Sequence, residues 1–244
     1  MISGVLVLSV AASVSGVVSS PDPYEKPRLS FVASAASHRP LDGIDYFGGD
    51  GAVSLGLRFS MPEGFYAAGQ AVGGKGDGRI TPDTSLLSIE TAVGWFMHSG
   101  QHGFALELQD YRLRPSGYET ISYQAAALQY RYREFSIEFG SDFDQPFYYQ
   151  PLDRFFDYNT RRLAIAQDFP LQDTMSVGLS VGRKAVDRID LRYTFYEARW
   201  QWRWREAYWT LAYSAATDDI EEFYPATTDR DALYLRISGN FSIF

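Results

Sequence analysis

Cysteine is absent from this 244-residue chain, which excludes disulfide scaffolds, thiolate metal sites and cysteine nucleophiles. An excess of positive charge is lacking too. The formal net charge is −8, whereas a nucleic-acid partner needs a basic surface to neutralise phosphates. Lysine occurs only at Lys26, Lys75 and Lys184, so arginine is the working base. Guanidinium groups suit a crowded interior or bidentate pairing with carboxylate and phosphate, although GC-rich codon usage accounts for the bias equally well. Long apolar runs are missing after the N-terminus, and nothing there approaches the ~20 continuous apolar residues of a spanning helix.

Aromatic residues, in contrast, are abundant: they make up 16% of the chain, with 17 Phe, 17 Tyr and 5 Trp. The mean hydropathy is −0.22, so apolar side chains are interspersed among polar ones. Ile2 to Val18 is an uncharged run of Val, Leu, Ala, Ser and Gly that ends in small residues. It reads as a signal-peptide core despite lacking a basic start, with a short membrane anchor as the alternative. The expected organisation is a signal peptide over 1–20, a periplasmic segment over 21–27 and one domain over 28–244, the prolines Pro21, Pro23 and Pro27 breaking any helix between them.

From Arg28 onward, apolar and polar residues alternate with period two, the pattern of a strand whose faces meet different surroundings. Twelve segments show it, at 28–37, 51–61, 65–72, 86–97, 102–113, 121–132, 135–143, 155–169, 174–184, 191–204, 207–217 and 233–244. Val53, Leu55, Leu57 and Phe59 share one face of the second, opposite Ser54, Gly56, Arg58 and Ser60. A soluble sandwich turns its bulky face inward and carries many charges outside. Here the polar face is small and lightly charged, which suits a lumen, while the bulky face suits lipid.

The connections alternate in length. Short turns at 62–64, 98–101, 133–134, 170–173 and 205–206 interleave with longer loops at 39–50, 73–85, 114–120, 145–154, 185–190 and 218–232. That rhythm predicts an all-β, transmembrane, antiparallel up-and-down barrel of about twelve strands, with the termini and short turns in the periplasm. Trp95, Tyr130, Tyr132, Trp202, Trp204 and Trp209 lie within a few residues of short turns, as do Phe59, Phe65, Phe104, Phe135 and Phe169. Aromatic rings prefer the boundary of acyl chains and water, so these residues are read as a girdle at the periplasmic membrane interface. Tyr111, Phe143, Phe155, Phe156 and Tyr193 suggest a weaker second belt. The chain closes on Leu233 to Phe244, an alternating strand that resembles the signal read by the barrel assembly machinery, with Phe244 out of phase with Phe241 and Ile243.

Three strings, Glu63-Gly64-Phe65-Tyr66-Ala67, Glu90-Thr91-Ala92-Val93-Gly94-Trp95 and the run from Asp231 to Phe241, resemble the TorF-type porin family of Gram-negative outer-membrane proteins. The resemblance spans roughly Ser30 to Phe244 and implies an outer-membrane location and a pore activity. It carries over no catalytic residue.

With the apolar phase facing lipid, the inward charges are Arg58, Glu90, Glu107, Arg131, Glu138, Arg162, Glu197, Arg199, Arg203 and Arg236. They either line a weakly anion-preferring pore for small solutes or ions, or lock into salt bridges that close the lumen of a structural or adhesion barrel. Eight strands are usually filled by side chains and sixteen leave a channel, so twelve falls between these regimes. An outer-membrane lipid hydrolase is the remaining class, but only His38, His98 and His102 are available as bases, at a rim or a turn, and Ser37 and His38 point to opposite faces of a strand. No cofactor or resident metal is expected. The acidic stretch Asp218 to Asp231 lacks calcium-loop spacing and bridges to lipopolysaccharide through divalent ions at most. Gly73 to Gly78 opens no helix, as a phosphate loop would, and the aromatic loop from Gln145 to Tyr158 either folds inward as a constriction or caps the rim.

Overall fold

The structure, a computed structural model, describes residues 27–37, 40–41, 44–45, 51–75, 85–117, 120–149, 154–187, 191–205, 207–217 and 231–242. The proposed signal peptide, His38, most of the acidic 218–231 stretch and Phe244 lie outside these. Among the described residues no helix is long and apolar enough to cross a membrane, and those residues are built from strands and the turns between them.

Fourteen strands follow in chain order: β1 (Arg28–Ala36), β2 (Pro40–Leu41), β3 (Ile44–Asp45), β4 (Ala52–Ser60), β5 (Phe65–Lys75), β6 (Ser85–Ser99), β7 (His102–Pro115), β8 (Ile121–Tyr132), β9 (Phe135–Tyr149), β10 (Arg154–Gln172), β11 (Met175–Val186), β12 (Leu191–Trp204), β13 (Ala207–Ala216) and β14 (Asp231–Ser242). β2 and β3 pair only with each other, and the other twelve close a barrel in which each strand pairs with its sequence neighbours. β14 closes it by pairing antiparallel with β1, from Ser30↔Ser242 to Ala36↔Arg236. Closure leaves no free edge, the hazard of any open sheet. The fold is therefore the twelve-strand, antiparallel, up-and-down barrel that the period-two alternation predicts.

Its faces are inverted relative to a soluble protein. On β4, Val53, Leu55 and Leu57 are 62%, 58% and 52% exposed while Ser54, Arg58 and Ser60 are buried. The same phase runs around the wall, with Val93, Leu106, Leu108, Leu128, Phe139, Leu163, Leu179 and Leu233 exposed outward. Removing apolar surface from water is worth about 25 cal/mol per Å². An outer face of this kind is stable only when it meets an apolar solvent such as lipid.

The short turns are tight. Gly100, Arg133 and Arg205 take positive φ, 53° and 55° for the arginines, as two-residue hairpin loops require, and Gly64 takes positive φ at the end of the three-residue loop over 62–64. The two arginine turns repeat a string, Arg131-Tyr132-Arg133-Glu134 and Arg203-Trp204-Arg205-Glu206. In each, the first arginine donates from Nε to the carbonyl of the third, at 2.7 Å for Arg131 and 3.2 Å for Arg203.

One region differs from its sequence reading. The 145–154 loop is largely absent, because β9 and β10 continue as a hairpin paired from Gln145↔Tyr158 to Tyr149↔Arg154. Phe147, Tyr148, Tyr149, Phe155 and Phe156 all favour strands, and pairing satisfies backbone groups that a ten-residue loop leaves open. The cost falls lower down, where the register shifts between Tyr158 and Thr160 and Asp144 takes φ of 56°, its N–H donating to Asn159 Oδ1.

Candidate functional site

The inward face of the barrel carries the charged residues, and the phase of each strand sets which ones. Three polar clusters result, each joining strands that are adjacent or two apart.

The first spans β4 to β7. Arg58, 4% exposed, donates from Nε to Ser60 Oγ at 3.2 Å and lays its guanidinium 4.1 Å from the centre of the Tyr66 ring. The Tyr66 hydroxyl donates to Glu107. Gln109 also donates to Glu107, and Tyr111 donates in turn to Gln109. Glu90 accepts from Ser88 Oγ at 3.2 Å. Tyr66 and Glu107 both pair with Gly94, from opposite sides. A Cβ there would lie 2.5 Å from the Tyr66 Cζ and hydroxyl, so the missing side chain is what lets the phenol cross one strand and reach the carboxylate on the next.

The second cluster spans β9 to β11. Arg162 pairs with Glu138, and Lys184 Nζ lies 2.8 Å from Asp142 Oδ2, which also accepts from Thr160 Oγ1 at 2.7 Å. Gly140 is the gap here, with Arg162 Nη2 3.2 Å from where its Cβ would stand.

The third spans β10 to β14. Arg199 Nη2 lies 2.6 Å from Asp168 Oδ1, both side chains 2% exposed, and its Nη1 lies 3.4 Å from Glu197 Oε1. Glu197 also accepts from the Tyr234 hydroxyl at 2.5 Å. Asp168 and Arg199 both pair with Gly178, and a Cβ on Gly178 would collide with both groups of the ion pair. The glycines thus let long polar side chains lie flat along the wall and meet across an intervening strand.

The remaining inward arginines stand apart from these clusters. Arg131 is half-buried and Arg203 exposed, and both are drawn down to the carbonyls of their turns at the short-turn rim. Arg236, on β14, is half-buried, and its Nε has no hydrogen-bond partner among the described residues.

Four charged residues escaped the sequence reading: half-buried Arg28, which shares the inward phase of Ser30 and Val32 on β1, and Asp142, Asp168 and Lys184, which are 6%, 2% and 1% exposed. For the last three the signal was present, because they share phase with Glu138 on β9, Arg162 on β10 and Gly182 on β11. With the ten residues named from sequence and Arg28, they bring the inward set outside the 145–158 arm to eight basic and six acidic among the described residues. The second aromatic belt is partly overturned. Tyr111 and Tyr193 are 7% and 1% exposed, inside the barrel, because they share phase with Glu107 and Arg199. Phe143 does face outward, 43% exposed.

The six aromatic residues named near short turns all occupy the outward phase. Trp202 and Trp209 stack at 6.0 Å, with Trp200 and Trp204 packed beside them, and Trp95 Nε1 donates to the Glu63 carbonyl at 3.0 Å. Tyr132 and Trp204 are 39% and 57% exposed, while Tyr130 is half-buried, its hydroxyl 2.9 Å from His102 Nδ1. His98 and His102 sit exposed at one turn, where His98 stacks on Phe96. Among the described residues no three His, Asp or Glu side chains converge as a metal site.

No protein-family model matches the chain, and no curated protein matches its sequence. Solved structures do match its shape. The NanC porin shares 12% identity at a TM-score of 0.50, with 87% of this chain and 98% of that one covered. A chain solved in work on the in-meso crystallization of membrane proteins shares 10% identity at 0.51, covering 88% and 84%. The KdgM porin shares 9% at 0.48, covering 89% and 99%. At such identities the likeness is one of fold alone: a closed antiparallel β-barrel.

Proposed function

We propose that the chain is an outer-membrane channel of porin type, a member of the TorF-type family, that passes small solutes or ions passively through a narrow charged lumen. One observation carries this reading. Through the middle of its wall, a closed twelve-strand barrel turns large apolar side chains such as Val53, Leu57, Leu108, Leu128 and Trp200 outward, while its buried arginines and carboxylates face inward, an inversion that fits lipid outside and water within. In this reading the chain is exported by its N-terminal segment, the barrel assembly machinery engages the last strand, and the short turns face the periplasm. Trp95, Tyr130, Tyr132, Trp202, Trp204 and Trp209 then form the inner interface girdle, and lipid and lipopolysaccharide surround the barrel. The lumen-lining set is Arg58, Glu90, Glu107, Arg131, Glu138, Arg162, Glu197, Arg199, Arg203 and Arg236, joined by Arg28, Asp142, Asp168 and Lys184.

A second reading, a non-conducting barrel that acts through its outer loops, draws on the depth at which most inward charges are buried and paired. Planar-bilayer recording of the refolded protein separates the two. Stepwise conductance is expected, with an anion preference that falls on Arg236→Gln or Arg203→Gln. Silence across independent preparations sinks the channel.

A further inference from the structure

Charges on the outer face of the barrel follow a different rule from those inside. In the outward phase of the described strands, leaving aside the arm over 145–158, six bases, Lys75, Arg112, Arg114, Arg161, Arg183 and Arg192, stand against two acids, Asp110 and Asp231. All eight lie toward the long-loop rim. A chain of net charge −8 therefore presents, among the described residues, an outward belt that is mainly basic at one end and an apolar band without charge through the rest.

The belt is densest on β10 to β12. Ala185 on β11 pairs with Arg161 on one side and Arg192 on the other, and Arg183 stands two residues below it on the same face. All three arginines are exposed. Strands are ~4.8 Å apart, so the two flanking backbones are roughly 10 Å apart with only a methyl between them. Arg161 has Asp187 at 3.7 Å, its own side chain 68% exposed. Such a fork of guanidinium groups matches phosphate oxygens bidentately.

Height fixes what can reach it. Arg192 lies ten residues from Trp202 along β12, which at ~3.3 Å per residue and a tilt of about 40° is roughly 25 Å of vertical rise. That equals the apolar band of an outer-membrane barrel. If the tryptophans mark one interface, the arginines stand at the other, level with headgroups.

We infer that Arg161, Arg183 and Arg192, around Ala185, form a binding site for the phosphates of a phosphorylated glycolipid in the outer leaflet. This rests on the outer-membrane reading above, with short turns in the periplasm. A diphosphoryl headgroup presents two phosphates to three guanidinium forks, where a phospholipid presents one.

The test titrates refolded protein in detergent with diphosphoryl lipid A and, separately, phosphatidylglycerol, read by native mass spectrometry. The variants are R161Q/R183Q/R192Q and, at the opposite rim, R133Q/R205Q. Affinity for diphosphoryl lipid A is expected to fall at least about tenfold in the first and to stay within about twofold in the second. Phosphatidylglycerol is expected to bind more weakly, and millimolar inorganic phosphate not to displace the glycolipid. Unchanged affinity in the triple variant overturns the site; equal phosphatidylglycerol binding overturns the glycolipid; displacement by inorganic phosphate assigns the site to a soluble anion instead. Should the triple variant fail to fold, Arg183→Gln alone, with an expected loss of about threefold, is read in the same way. Insertion of the wild-type protein into vesicles is scored alongside. A protein that does not insert overturns the membrane reading itself, whereas one that inserts with no difference between variants overturns only the site.

Discussion

The β9–β10 wall and the seam between β14 and β1 line the same lumen in opposite ways. On β9–β10, every inward side chain from Ser136 to Asp142 and from Thr160 to Asp168 is buried, down to 0% for Thr160 and 1% for Ala164 and Ala166. At the seam, Ser30, Val32 and Tyr234 are buried, but toward the middle of the wall Ser34, Ala36, Arg236 and Ser238 are only half-buried. The first wall reads like a protein interior, where charges persist only in pairs; the second is where water reaches the inner surface. Mutations in the packed wall should therefore register as stability, and mutations at the seam as conductance.

The largest effect expected is from breaking the Asp168–Arg199 pair. Both side chains are 2% exposed, and removing one partner of a buried pair costs about 3–5 kcal/mol because it strands the other. Asp168→Ala should fall near the lower bound, since Glu197 still lies 3.4 Å from Arg199. The guanidinium unfolding midpoint of the folded barrel measures it. The double variant Asp168→Leu with Arg199→Met should recover most of the loss. If Asp168→Ala unfolds at the wild-type midpoint, the wall is wetter than its burial implies.

Next come the glycine gaps. Gly94→Ala places a Cβ 2.5 Å from the Tyr66 ring and 2.8 Å from the Leu106 carbonyl oxygen, an overpacking that typically costs about 1–3 kcal/mol. Gly69 faces outward on β5, where a Cβ meets only Thr91 Cγ2 at 3.9 Å. Gly69→Ala should therefore leave the midpoint within error. Equal effects at the two positions would separate the glycines from the cross-strand contacts they admit.

These gaps also mark how far the sequence can be read. Strand positions, the closed barrel and its polarity were legible because a wall between two different solvents imposes a strict period of two. Asp142, Asp168, Lys184, Tyr111 and Tyr193 were legible as well, since each shares phase with a neighbour whose direction was plain. The meeting of Tyr66 with Glu107 was not. It depends on Gly94 pairing with both, and register between strands follows from turn geometry and closure, which alternation along a single strand does not report. The β9–β10 hairpin was hidden for a related reason: its aromatic residues lack an alternating partner phase, so they read as loop.

A smaller stability effect is expected at the edge of the third cluster. Tyr234→Phe removes the hydroxyl that donates to Glu197 at 2.5 Å while Arg199 still faces that carboxylate. The loss should be about 1.5 kcal/mol, the low end of the usual range for a hydrogen bond to a charged group, because the carboxylate keeps Arg199. An unfolding midpoint that drops as far as in Asp168→Ala would mean that the cluster acts as one unit.

The smallest stability effect should come from the seam itself, and there the comparison is sharpest. Ala36 on β1 and Ala164 on β10 both point inward, but Ala36 is half-buried while Ala164 is 1% exposed, with Gly182 beside it covered by the Phe195 ring. Ala164→Phe has no free volume to enter and should cost about 1–3 kcal/mol by overpacking. Ala36→Phe should change stability by less than about 0.5 kcal/mol, as substitutions at solvated positions usually do. It should nonetheless cut single-channel conductance by roughly half, because a lumen of about twelve strands has little width to spare. If Ala36→Phe leaves the conductance intact while Ala164→Phe reduces it, the solute path runs along the packed wall and the assignment of the two walls is reversed.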